Sequence, residues 1–380
     1  MPGLYRTKGV FMNRSGTIRQ IGSSMARPAL AAALTLGLLG TSQAAEPLKE
    51  GGNALRNGTI GYVLTNRYWS VYETEGGKTE CPQGFNDGPR EQFKKLYDDG
   101  KKHTLIEAQL KREGEQWHPT GEPESFAFKE AGGKIAYGVN LDGKVGAEDF
   151  DSPEGEPGVD NQMQRAIGCI GGYRTGGPNY HFENLFMQSY NDTRIVLELT
   201  GVDDLVNDDD VTVNTYRGSD TLLQDATGEG FIPGGTQRVD LRWGKDYVFK
   251  LKGKIVDGVL TTEPIDRIEF PWGSTFNTTG FQVFRGMQLK MKVTQEGLDG
   301  VIAGFLDVAA FRHHLNTHWS THHQSYGQLS SPSLYKAMHR LADGYPDPKT
   351  GENTAISSAV RTKFIQVFVK HPAEERVTKN

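Results

Sequence analysis

Apolar and polar residues alternate with period two through much of 194–308. Val239, Leu241 and Trp243 alternate with Asp240 and Arg242; Tyr247, Phe249 and Leu251 with Val248, Lys250 and Lys252; Leu289, Met291 and Val293 with Lys290 and Lys292. Such alternation puts the first set of each run on a buried face of a strand and the second mainly in water. Asp257-Gly258 sits between two such runs and predicts a tight hairpin, because both turn residues must take positive φ. Glu296-Gly297 starts a further turn. Upstream, "IGYVLTNRYWSVY" (60–72) is rich in aromatic and β-branched residues and predicts one strand or a short pair. Short strands with one wet face and no interleaved helices predict a mainly β fold, an antiparallel β-sandwich or jelly roll.

The period lengthens elsewhere. Residues 89–97 and 104–111 carry apolar positions at helical spacing, each stopped by a nearby glycine, and 309–319 and 333–342 do the same after the β region. Ser331-Pro332 introduces the last of these in the manner of a helix cap and first turn. A final β-type run at 363–369 returns toward the sheet, and the tail beyond it is polar. The stretch 132–178, dense in Gly, Asp, Glu and Pro, reads as long functional or metal-ordered loops. The expected organisation is an export signal at 1–44, a mixed α/β segment with N-terminal helices at 45–135, the β-sandwich with acidic loops at 136–310, and a C-terminal helical extension with a final strand at 311–380.

The first segment changes the picture from fold to destination. Arg6, Lys8, Arg14, Arg19 and Arg27 precede an apolar run at 29–40, followed by Ser42, Gln43 and Ala44, and no acidic residue comes before Glu46. These are the three parts of a secretory signal peptide, with cleavage expected after Ala44. The apolar run is too short to span a bilayer, which takes roughly 20 residues, and no later segment is long enough, so no membrane span is expected. The mature chain is then periplasmic or secreted. Its two cysteines, Cys81 and Cys169, form no CxxC. In an oxidising compartment they are expected to pair, with two buried thiols as the alternative. The whole chain has net charge −5, and loss of a basic leader makes it more acidic. A nucleic-acid partner is excluded, since binding phosphate takes a basic surplus. With 47 glycines in 380 residues, the body is rich in turns.

Two clusters suggest metal chemistry. In "GVNLDGKVGAEDF" (138–150), placing Gly143 at the sixth position of a twelve-residue calcium loop puts Asn140 and Asp142 at the third and fifth, Val145 at the eighth and Asp149 at the twelfth. Calcium takes six to eight oxygens, and a glycine lets the chain turn sharply enough for side chains and a carbonyl to converge. The first position is Gly138, the last is Asp in place of Glu, and no helix leads in, so this is not an EF-hand. The expected ligands are Asn140, Asp142, Lys144 through its backbone, Asp149 and Asp160. A second acidic cluster, Asp203, Asp204, Asn207, Asp208, Asp209 and Asp210, lies between two strands, where a solvated turn is the alternative to an ion site. The runs "DSPEGEPGVDNQMQRAIGC" (151–169), "VLELTGVDDLVNDDDVTV" (196–213) and "FKLKGKIVDGVLTTEP" (249–264) resemble an uncharacterised family of secreted bacterial proteins with β-rich bodies. The resemblance implies export and a β-rich fold, and no activity.

The second metal candidate is "HHLNTHWSTHH" (313–323), in which His314, His318 and His322 recur every four residues along one helical stripe. Imidazoles so spaced suit zinc, copper or iron, although the Glu of HExxH is absent. Exposed or hydrogen-bonded histidines are the alternative. Tyr68, Trp69 and Tyr72 offer a sugar or peptide platform, or core packing. "HQSYG" and "GCIGGYRTGG" lack the full nucleophile-elbow and phosphate-loop patterns. Two functions are therefore expected. One is an exported, calcium-stabilised binding or surface-associated protein whose ligand is a carbohydrate or another exported protein. The other is an exported metalloenzyme, an oxidoreductase or hydrolase, using the histidine cluster.

Overall fold

The structure, a computed structural model, describes residues 54–86, 110–113, 116–119, 127–189, 194–228, 230–242, 248–274, 278–314 and 331–372. In chain order the strands are β1 (Thr59–Trp69), β2 (Leu110–Glu113), β3 (Gln116–Pro119), β4 (Phe150–Asp151), β5 (Pro157–Val159), β6 (Ile195–Thr200), β7 (Asp208–Arg217), β8 (Gly235–Arg238), β9 (Lys250–Val256), β10 (Val259–Thr262), β11 (Ile268–Ser274), β12 (Thr278–Val293), β13 (Gly297–Asp307), β14 (Gly344–Pro346) and β15 (Asn353–Lys370). Four α-helices are described: α1 (Gln162–Ile167), α2 (Pro178–Ser189), α3 (Val308–His314) and α4 (Ser331–Leu341).

Eight strands pair in the order β1-β6-β7-β9-β10-β12-β13-β15, and β15 pairs back with β1, every contact antiparallel. The sheet is thus closed into an up-and-down barrel. This corrects the expected sandwich or jelly roll: period two fixes which face of a strand is buried but not whether the sheet folds over or closes on itself. Its staves come from all three segments expected to follow the export signal, since β1 lies upstream of the acidic loops and β15 near the C-terminus. At Asp257 and Gly258 φ is 49° and 75°, and the hairpin turn expected there joins β9 to β10.

Apolar side chains fill the barrel. Ile60, Tyr62 and Leu64 of β1, Leu197 of β6, Val213 of β7, Leu260 of β10, Leu289 and Met291 of β12, Ile302 of β13 and Phe364 of β15 belong to one buried cluster. An eight-stranded barrel is just wide enough for side chains to fill. Outside, Lys250, Lys252 and Lys254 of β9, Lys292, Asp299, Arg361 and Lys363 are exposed. A charged exterior around an apolar interior is the reverse of a membrane-spanning barrel, and among the described residues no helix is long and apolar enough to cross a bilayer.

A bulge between Leu64 and Asn66 shifts the parity of β1, so Arg67 and Trp69 follow Leu64 inward. Beyond that bulge β1 outruns its partner β6, and α2 takes over the open edge. The Asn184 amide accepts from Arg67 N (2.9 Å) and donates to Arg67 O (3.0 Å), while Gln188 Nε2 donates to Thr65 O (2.8 Å). Trp69 meets Tyr173 and Phe311 edge-on at 6.4 and 5.6 Å, which ties α3 and the segment before α2 to the core. Asn161 caps α1 through Gln164 N at 3.2 Å. The expected helix at 333–342 is present as α4, burying Leu334, Ala337 and Met338. Only 309–314 of the helix expected at 309–319 is described, within α3. The helix expected at 89–97, the export signal and His318 and His322 lie outside the described residues. Of the helix expected at 104–111, Leu110 and Lys111 instead begin β2, because Lys111 pairs across to His118 in a hairpin.

Candidate functional site

Cys81 and Cys169 are joined in a disulfide, their Cα atoms 5.6 Å apart, linking the chain after β1 to the end of α1. Beside it Arg174 Nη2 donates to Glu80 Oε1 at 2.7 Å and Nη1 to Gly168 O at 2.9 Å. Burial opposes ionisation of Glu80, but hydrogen bonds from Thr74 and Arg174 hold its carboxyl below the ordinary range. This is a structural knot around the bridge.

The first acidic loop is closed by its own hydrogen bonds. Asn140 Oδ1 accepts from Gly143 N (2.6 Å), Asn140 Nδ2 donates to Lys144 O (2.6 Å), and Asp142 Oδ1 accepts from Lys144 N (2.8 Å). Asp149 accepts from Gly146 N, and Asp160 Oδ2 from Leu141 N at 2.6 Å. Gly143 has φ 75°, as a sharp turn there requires. Gly158 lets the loop approach β5, because a Cβ there would stand 2.6 Å from both Asn140 Nδ2 and Lys144 O. Asp160 is 7% exposed. Burial pushes its carboxyl up to about 6, and the charges of Asp142 and Asp149 act in the same direction. The five expected ligands therefore belong to one loop system, but the Lys144 carbonyl is occupied by the Asn140 amide. Among the described residues no three His, Cys, Asp or Glu side chains are grouped closely enough to hold an ion.

In the second acidic cluster the carboxylates also serve as turn acceptors. Asp208 takes Asp203 N (2.6 Å) and Asp210 N (3.1 Å), Asp204 takes Val206 N (3.1 Å), and Asn207 takes Asp257 N (3.1 Å) from the β9–β10 hairpin. Lys252 Nζ meets Asp210 at 2.8 Å. Of the histidine stripe, only the backbone of His314, at the end of α3, is described. The tyrosines of the expected platform divide from Trp69: Tyr68 stacks on Tyr180 at 4.1 Å and Tyr72 lies 5.9 Å from Tyr137, whereas Trp69 enters the core.

One hollow among the described residues was not legible in the sequence. A cleft of ≈ 720 Å³ is lined by Ser219, Arg238, Val239, Asp240, Leu241, Arg242, Lys370, His371 and Pro372. Three chain segments make it. β8 runs parallel to the end of β15, Val239 N donates to Lys370 O (2.9 Å), and Asp240 N to Arg217 O (2.8 Å) at the end of β7. The ladder ends at Arg238, so Leu241, expected on a buried face, is 53% exposed while Val239 is buried. Trp243 lies outside the described residues.

The charges of the cleft are ordered from beneath. Arg242 Nε and Nη2 grip the two oxygens of Asp240 at 2.9 and 2.8 Å, and Arg238 Nε meets Asp220 Oδ1 at 2.8 Å. The Arg238 hydrogen bond holds the Asp220 carboxyl below the ordinary range, and the Arg242 hydrogen bond does the same for Asp240. His371 Nε2 stands 3.0 Å from each carboxylate oxygen of Glu198, on the outer face of β6, with the Tyr216 ring edge-on at 5.1 Å. Burial, then the charge of Glu198 and a hydrogen bond to it, push the Tyr216 hydroxyl up to about 12. The cations are outside and the acids inside: Arg238 and Arg242 side chains are 64% and 79% exposed, those of Asp240 and Glu198 3% and 8%. Alternating charge along "RVDLRW" is the one trace of this in the sequence. The partners Asp220, Glu198 and His371 come from three distant places in the chain.

No family model, curated protein or solved structure matches the chain.

Proposed function

We infer that the protein is an exported binding protein: a filled barrel, steadied by calcium at the 138–160 loops, that receives a small ligand in the outer cleft between β8 and the end of β15. The observation that carries the reading is the pair of solvent-facing guanidiniums ordered by carboxylates set deeper, Asp240 buried and Asp220 partly so. Such pre-organised polar groups in a concave, partly apolar hollow are the usual makings of a ligand site. The barrel interior is occupied by side chains, which favours the exterior. Export rests on the leader-like first 44 residues, and the disulfide accords with an oxidising compartment.

Two measurements on untagged mature protein test it. Small molecules released by denaturation, identified by mass spectrometry, are expected from the parent and depleted from Arg238→Gln/Arg242→Gln. Release of the same compound from both in equal amount, or of none from either together with no binding in a metabolite screen, contradicts the cleft. For calcium, excess chelator is expected to lower the melting temperature and added calcium to restore it. An identical transition in chelator and in calcium removes the ion from the account.

A further inference from the structure

The cleft joins two chemistries in one hollow. Val239, Leu241 and Pro372 give it apolar surface, and Arg238, Arg242 and Lys370 give it cations. Resting on the reading of this cleft as the ligand site, we propose that it takes an amphipathic organic anion, a carboxylate or sulfonate head on an apolar body.

The charge argument depends on depth. Asp240 and Glu198 are buried and Asp220 is partly so, and the more exposed Arg238 and Arg242 guanidiniums above them form the rim that a ligand meets first. Each arginine is bound to its aspartate through Nε and Nη2, which leaves Nη1 for a ligand oxygen. Lys370, exposed at the end of β15, adds a further cation to the rim. Guanidiniums fixed in this way lose little freedom on binding and suit oxyanions geometrically.

The apolar part excludes simpler ligands. An inorganic anion would leave Leu241, a large aliphatic side chain 53% exposed, uncovered. A neutral amphiphile would desolvate the cationic rim without offering it a partner. A cationic one would be repelled. The volume, ≈ 720 Å³, lies within the range usual for small-molecule sites.

The test uses anilinonaphthalene sulfonate, whose fluorescence rises on leaving water, titrated into mature protein and competed with octanoate, acetate or octyl glucoside. The expected result is one saturable site, displaced by octanoate and not by acetate or octyl glucoside below its micelle concentration. Lys370→Glu is expected to weaken the probe about tenfold, and Leu241→Ser several-fold. Both positions are exposed, so an unchanged melting temperature checks the fold. Unchanged probe affinity in both variants puts the probe elsewhere and overturns the proposal. Displacement by octyl glucoside as readily as by octanoate overturns the ligand class but leaves the cleft as a binding site. Failure of every amphiphile to bind, with the protein folded, removes the proposal, while ligand release from the parent protein would still sustain the broader reading.

Discussion

At the scale of single residues, Asp160 separates a fold contribution from a metal contribution. Its carboxyl is raised from an ordinary value near 4 to about 6, so between these values the folded chain holds a proton that the unfolded chain has released. Folding stability in chelator therefore falls as pH rises through that window, by roughly 2–3 kcal/mol, and stays at the lower level above it. Asp160→Asn keeps an acceptor for Leu141 N and carries no charge. Urea titrations at pH 4 and 7 should show a drop for the parent and a much smaller one for the variant. Equal drops would mean that another group is responsible. If calcium binds here, the variant should also lose the calcium-dependent gain in melting temperature. The sequence placed Asn140, Asp142, Asp149 and Asp160 in one region and set the turn at Gly143. It could not show that the Asn140 amide takes the Lys144 carbonyl, because amide orientation is settled by neighbours such as Gly158.

At the scale of elements, short contacts join pieces that patterning treats separately. Arg194, 1% exposed, donates from Nη2 to Met187 O (3.0 Å) and Gln188 O (3.1 Å) at the end of α2, and from Nη1 to Asp220 O beside the cleft. A cation at a helix C-terminus meets carbonyls that have no partner within the helix. Arg194→Met should cost about 2–4 kcal/mol in urea denaturation, from the loss of charged hydrogen bonds to buried carbonyls. Arg194→Lys should recover only part, because one ammonium cannot reach both ends. A variant within about 0.5 kcal/mol of the parent would contradict this role. Strand parity was legible in β12, where Leu289, Met291 and Val293 are buried as their alternation predicts. In β1 the bulge beyond Leu64 inverts every later side chain, and nothing in the residue pattern marks it.

For the whole molecule, closure is the decisive event. β1 must find β15, with Thr65 and Lys363 298 residues apart in contact, before the interior is sealed. The Cys81–Cys169 bridge constrains a long piece of that chain, its two cysteines standing 88 positions apart in sequence. Replacing both cysteines by serine should lower stability by roughly 2–5 kcal/mol. It should also make the parent, but not the variant, sensitive to reductant in a melting experiment. A parent whose transition is indifferent to reductant would show that the bridge contributes nothing.

The sequence by itself determined the local terms: antiparallel strands with one buried face, the Asp257-Gly258 turn, the α4 helix, an acidic turn-rich body and the cysteines available to pair. These follow from side-chain periodicity and backbone preference within a few residues. Tertiary structure alone decided that the sheet closes, that it closes around a filled core, and that Arg238, Arg242, Lys370 and His371 share a hollow above more deeply set acids. Each of those depends on pairing between strands far apart in the chain, whose register is selected by the packing of the whole interior.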